Sequence, residues 1–146
     1  MQSQHVSACV KHFCCNNKET NRYGSDSRVS ERALREIYLR AFEIVVKEGG
    51  VWSVMTAYNL LNGTYTSENL ELISGILREE WGYDGLVITD WYNWAEHYRE
   101  ALAGNNVRMP NGSLRRLQKA MELGLISRNT LIENARQVLQ WMLRLE

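Results

Sequence analysis

The stretch GLVITDW, residues 85–91, runs four strand-forming residues, Leu86, Val87, Ile88 and Thr89, straight into Asp90 and Trp91. A carboxylate at the end of an apolar strand has two ordinary uses. It can cap a turn or a helix, as Asp and Asn do constantly. It can also stand at the mouth of a parallel α/β sheet, where side chains at the C-terminal strand ends meet and a carboxylate can serve as nucleophile. Other segments end on comparable groups. HVSACVKHF (5–13) brings Lys11 and His12, VWSVMTAYN (51–59) brings Met55 and Tyr58, and NNVRMP (105–110) brings Arg108 and Met109. The opposite ends begin at His5, Gly50-Val51, Gly85 and Asn105 and carry no such cluster. Singly, Asp90 reads as a cap and His12 as a structural histidine; together at one rim they read as a site. Lys, Arg or Tyr donors near an ionised carboxylate lower its pKa and orient it.

These groups need a scaffold, and the patterning supplies one. Between and after the four strand segments lie helical repeats. The first follows the N-cap Ser30, with Leu34, Ile37, Ala41, Ile44 and Val45 on one stripe, and stops at Gly49-Gly50. The second follows Thr66 and Ser67 with Leu70, Ile73 and Leu77; the third runs from about Tyr92 to Ala103. SLRRLQKAMELG and a long helix after Ser127 close the chain, the latter with Leu131, Ala135, Val138, Leu139 and Met142 on its buried stripe. Strands alternating with helices mean βαβ units and a parallel sheet. Residues 14–29 form the one long irregular segment, polar and rich in Asn and Ser; loops of that length are usually functional or mobile. No Gly-x-Gly-x-x-Gly follows the first strand and no Walker sequence is present, which argues against a nucleotide fold.

Bulk properties narrow the function classes. The 146 residues suffice for one domain with a core. Lys plus Arg equals Asp plus Glu at 17 each, which gives no support for nucleic-acid or anionic-membrane binding. No apolar run approaches the roughly 18–20 residues of a membrane helix, and no signal peptide is visible. Cys9, Cys14 and Cys15 contain no C-x-x-C pair, and an odd count fits reduced thiols in a cytoplasmic chain better than a disulfide framework or a zinc site. Five tryptophans and seven tyrosines are many for this length; they suit sugar platforms, and equally an aromatic core.

VKHF, NNKETNR, VSERALREIYLRAFE, VWSVMTAYN, SENLELISGILREEWGYDGLVITDW and AGNNVRMP, in that order, resemble glycoside hydrolase family 3, the family of many β-glucosidases. The resemblance runs from about Val6 to Glu146. It implies that Asp90 is the catalytic nucleophile of a retaining β-glycosidase, most simply a β-glucosidase. It implies that Lys11 and His12 hydrogen-bond the hydroxyls of the innermost sugar, and that Arg22 contacts sugar or orients the nucleophile. Met55 and Tyr58 would line the same subsite, with Trp91 as an aromatic wall. No metal and no organic cofactor is implied; the partner is a β-glycoside or small sugar. Two departures stand out: Asn106 where the family usually has Asp, and Arg40 near a position often taken by Pro.

The same resemblance implies an α/β fold of parallel βα units forming the C-terminal half of a TIM-like (β/α)8 barrel, about four βα units over residues 1–146. The first half-barrel, and the following domain that normally brings the acid/base glutamate, have no counterpart; Glu19, Glu31 and Glu96 match no such motif. An inactive half-barrel acting as a sugar-binding or structural module is therefore the competing expectation. Four strands cannot close a barrel, so unpaired edges near Val6–Val10 and Val107 and an inner face with Val10, Val54 or Met55, and Ile88 predict a homo-oligomer or a missing N-terminal half.

Overall fold

The computed structural model describes residues 1–146. Strands β1 (Cys9–Phe13), β2 (Asp26–Ser27), β3 (Ser53–Thr56), β4 (Leu60–Leu61), β5 (Thr64–Tyr65) and β6 (Leu86–Ile88) form two small sheets. The main sheet is parallel, in the order β1-β3-β6, with Val10, Val54 and Val87 in one row across it. Its strands are shorter than the apolar runs that announce them. The segment expected as a fourth strand contributes a single bridge, Ile88 to Val107. A side chain explains the truncation: Val87 donates its N–H to Asn106 Oδ1 at 2.8 Å, where a continuous ladder would use a backbone carbonyl.

Helices α1 (Glu31–Ala33) and α2 (Arg40–Lys47), joined through a π-helical turn at Leu34–Tyr38, connect β1 to β3; a π-helix over Glu71–Glu80 connects β3 to β6. Helices α3 (His97–Ala103), α4 (Leu114–Glu122) and α5 (Arg128–Met142) complete the chain. Ser30, Ser113 and Ser127 each accept a hydrogen bond from the backbone N–H three residues on, so the chain marks these helix starts itself. The stripe expected on the first helix is corrected. Leu39 N–H reaches back five residues to Leu34 O, at 2.8 Å. That wide turn shifts the facing of every later residue in the helix by one position. Leu39 and Val46 are buried with Leu34, while Ile37 is 67% exposed and Ile44 39%. In the next helix Leu72, Ile73, Ile76 and Leu77 are buried and Leu70 is exposed.

The core lies between this helix layer and one face of the sheet: Phe13, Leu39, Val54, Leu72, Ile73, Leu77 and Val87 form its centre. Each such side chain contributes about 1.5–3 kcal/mol through removal from water. Val54 is fully buried there and Val10 packs against the same cluster, so Val10 is not on the open face, and of the alternatives Val54 and Met55 it is Met55 that is. The open face carries exposed Cys9 and Lys11 and half-buried Met55 and Ile88. Helix α5 departs from expectation as well. Of its residues only Asn134 is buried; Leu139 and Met142 are exposed. Leu131, Val138 and Leu139 line an open groove of about 500 Å³ shared with α3 and Leu117 of α4. No helix is long and apolar enough to cross a membrane.

The second sheet pins the long polar loop. β2 pairs parallel with β4, which turns back into β5 through Asn62-Gly63, both with positive φ. That Asn-Gly pair is the signature of a tight type I′ hairpin. Asn62 brackets Val29 with two side-chain hydrogen bonds of 2.9 Å, and Ser27 Oγ donates to Cys15 O at 2.9 Å. Residues 14–29 are therefore fastened at their far end.

The substitution at Asn106 also has a structural reading. The half-buried Arg78 guanidinium has no carboxylate in contact; it donates to Gly104 O at 2.8 Å, Gly85 O at 3.3 Å and Asn106 Oδ1 at 2.9 Å. Burial lowers its pKa. Asn106 Nδ2 meanwhile donates to Asn134 Oδ1 and Gln137 Oε1, bonds that an aspartate could not make.

Candidate active site

Asp90 sits two residues beyond β6, almost buried, with its carboxylate fixed from two sides. Trp91 N–H donates to Oδ1 at 2.7 Å, and Oδ2 lies 3.3 Å from Nε2 of His12 on β1. Tyr58 comes just after β3, between them. Burial foremost, then the neighbouring Asp90 carboxylate, push its phenol well above the ordinary tyrosine range, so it stays protonated and available as a donor. Charge on Asp90 is thus met by a backbone N–H, an imidazole and a phenol rather than by a lysine or arginine.

The irregular loop lays a second layer over this one. The Arg22 guanidinium lies 4.6 Å from the centre of the Tyr58 ring and 5.4 Å from that of Tyr23, and is ion-paired with exposed Glu19 at 2.8 Å. Tyr23 packs on Tyr58 with ring centres 4.6 Å apart, and Trp94 stacks on Tyr23 at 5.9 Å. Trp91, 46% exposed, meets Tyr92 edge-on at 5.9 Å. The rim beside Asp90 is therefore walled by aromatic faces.

Of the residues singled out by sequence, His12, Tyr58 and Asp90 come together directly, and Arg22 joins through the Tyr58 ring. Lys11 is exposed on the open face, and Met55 is half-buried opposite Ile88. Arg108 is corrected: it is not a rim group. Its Nη1 donates to Glu100 Oε2 at 2.6 Å and to Ala95 O at 2.9 Å, and its Nη2 to Asn93 O at 3.3 Å. It clamps the 91–96 loop onto α3, which is why that helix begins at His97 and not at Tyr92. Sequence reasoning missed Tyr23 and Trp94. Tyr23 comes directly after Arg22, and one of a loop's two adjacent side chains can reach the strand that the other covers.

No group of three or more His, Cys, Asp or Glu side chains is placed to hold a metal ion. What the arrangement can do is present one oriented carboxylate, flanked by hydrogen-bond donors, to a polar ligand lying against aromatic rings.

The sequence model for the glycosyl hydrolase family 3 N terminal domain matches residues 1–141. The chain belongs to glycosyl hydrolase family 3. β-Glucosidase A of Butyrivibrio fibrisolvens is 50% identical over 131 residues, which is 90% of this chain and 16% of that protein. Exo-α-(1→6)-L-arabinopyranosidase of Bifidobacterium longum is 47% identical over 112 residues, 75% of this chain and 14% of that one. The structure of β-glucosidase 3B from Thermotoga neapolitana in complex with glucose superposes with a TM-score of 0.94 at 46% identity, covering 98% of this chain and 21% of that one. The chain thus spans about a seventh to a fifth of the length of these proteins.

Proposed function

We propose that this chain is the C-terminal half of a family 3 (β/α)8 barrel domain and carries the nucleophile half of a retaining β-glycosidase site, β-glucosidase-like in its specificity. The observation that supports it most is the Asp90 carboxylate, oriented by Trp91 N–H and His12 and neighboured by a protonated Tyr58 at the C-terminal edge of a parallel sheet. Asp90 would attack the anomeric carbon and form a glycosyl-enzyme, which water resolves. Lys11 and His12 would bind hydroxyls of the innermost sugar, Met55 and Tyr58 line its pocket, Arg22 hold Tyr58 and contact sugar, and Trp91 wall the site.

A fluorosugar with an excellent leaving group tests the nucleophile. Dinitrophenyl 2-deoxy-2-fluoro-β-glucoside needs no protonation to leave, so the first step can proceed without an acid. The expected result is one fluoroglucosyl group on the peptide containing Asp90, and none on Asp90→Asn. Label elsewhere, or equal labelling of the variant, removes Asp90 from the role. A second reading has its own support: Glu19 is held by Arg22 and Glu31 by Arg35, so neither is placed as the second carboxyl group. Glucose binding without any labelling would favour that reading, an inactive sugar-binding or structural module.

The open face and the free edge of β1 lead to one more expectation. β1 pairs with β3 alone, and Met55 and Ile88 are partly exposed beside it. Such edges and faces are usually covered. Light scattering after gel filtration should give a mass above the 17.0 kDa monomer; a stable monomer at micromolar concentration contradicts association of copies.

A further inference from the structure

Cys14 and Cys15 take no part in the sugar site, yet they sit where its loop is fastened. They leave β1 directly, are 0% and 5% exposed, and their Sγ atoms lie 3.6 Å apart. The hydrogen bond between them divides their acidity: it lowers Cys15 and, together with burial, raises Cys14. Cys15, 5% exposed where Cys14 is fully enclosed, is the sulfur that a small molecule reaches first. Both main-chain carbonyls are anchors. Asn59 Nδ2 donates to Cys14 O at 3.2 Å, and Ser27 Oγ donates to Cys15 O at 2.9 Å. Beyond these anchors the loop carries Arg22 and Tyr23 onto Tyr58.

We propose that Cys14 and Cys15 are a two-electron modification site for small hydroperoxides, and that closing them to a vicinal disulfide lifts the Arg22–Tyr23 loop off Tyr58. The Cys15 thiolate attacks one peroxide oxygen; the O–O bond breaks, leaving a sulfenic acid and one hydroxide or alcohol. The Cys14 sulfur then attacks the sulfenic sulfur, the S–S bond forms, and the S–OH group leaves as water with the Cys14 proton. Two thiols are oxidised and one peroxide is reduced. Neighbouring Cα atoms stand about 3.8 Å apart, below the roughly 4.4–6.8 Å that disulfides usually bridge. The Cys14-Cys15 peptide must therefore turn, which takes its carbonyl, that of Cys14, off Asn59. The same strain makes the bridge easy to reduce, as a reversible site requires.

Exposed Cys9 serves as an internal control. After hydrogen peroxide, denaturation and alkylation, the expected product is lighter by two hydrogens and alkylated at one of its three cysteines, Cys9. Dithiothreitol restores all three. Trypsin should cut the oxidised native protein after Lys18 and Arg22 about tenfold faster, the scale of losing one hydrogen-bond anchor. Cys15→Ser should abolish both effects, Cys14→Ser should leave a dimedone-trappable sulfenic acid on Cys15, and Cys9→Ser should change neither. Oxygen adducts in place of the two-hydrogen loss, or three alkylatable thiols after peroxide, overturn the site. Closure with unchanged trypsin cleavage overturns its effect on the loop.

Discussion

Phenyl β-glucoside should be hydrolysed by this chain about 10²–10⁴-fold more slowly than by a complete β-glucosidase of the family, the contribution of a general acid to leaving-group departure. Retaining hydrolysis uses two carboxyl groups about 5–5.5 Å apart. Asp90 is the carboxyl group proposed for one role; for the other, Glu19 is ion-paired with Arg22 and Glu31 with Arg35, and Glu96 caps the start of α3. Glu100 stays protonated to near neutrality, but it is buried against Arg108. The deficit should shrink as the leaving group becomes more acidic, because dinitrophenolate departs without a proton. Parallel rates on phenyl and dinitrophenyl glucosides, compared with a full-length relative, measure it. Turnover of the phenyl substrate at the relative's rate, abolished by Asp90→Asn, would show that this chain contains its own acid.

Arg108→Ala should cost about 3–5 kcal/mol at pH 8, the usual result of stranding one partner of a buried ion pair. For a chain of this size that is roughly 10–15 °C in melting temperature. Glu100 is 1% exposed, and burial outweighs Arg108, Ser67 and Asn93 to push its carboxyl up to about 7. The folded protein therefore holds a proton that the unfolded chain releases near 4.5. Its contribution to stability is complete below that value and is lost as pH rises through about 7, a fall on the order of 3 kcal/mol. His97, one turn earlier on α3, works the other way: burial and Arg108 lower its pKa, so the stability it adds grows with pH. Glu100→Gln isolates the carboxyl, since it should flatten the pH slope between 4.5 and 7 and leave the His97 contribution. In the Arg108→Ala background it should recover much of the loss at pH 8. Melts followed by circular dichroism at pH 5 and pH 8 read all four proteins. An Arg108→Ala protein melting with wild type at both values would mean that the pair holds nothing.

Sequence reading went furthest where one residue decides a local event. Ser30 and Ser127 mark their helices because a hydroxyl satisfies an orphan N–H, and Asp90, His12 and Tyr58 were legible because the ends of parallel strands share one rim. It stopped where distant side chains choose between equivalent options. Arg108 has the right address for the rim, but Glu100, eight residues earlier, takes its guanidinium into the interior. Nothing in NNVRMP tells that Asn106 will occupy a ladder position of Val87 and shorten the strand. The Asn62-Gly63 hairpin is marked in LLNGTY by its Asn-Gly pair, but its strands are only two residues long and carry no alternating pattern of their own. Tyr23 and Trp94 are seventy-one positions apart, and only the folded loop stacks them.

The wide turn at Leu34–Tyr38 sets where this chain can change length. Leu34, Leu39, Phe42 and Val46 face the core at intervals of five, three and four. Taking one residue out of the wide turn converts the five to a four, the spacing of an ordinary α-helix, and every later residue keeps its face. Taking one out of Arg40–Lys47 instead turns the rest of that helix through about 100° and exchanges Val46 for a charged neighbour. A gap opposite exposed Glu36 or Ile37 in a comparison with a relative therefore marks a silent deletion, and the same gap a turn later marks a different packing of the helix on the sheet.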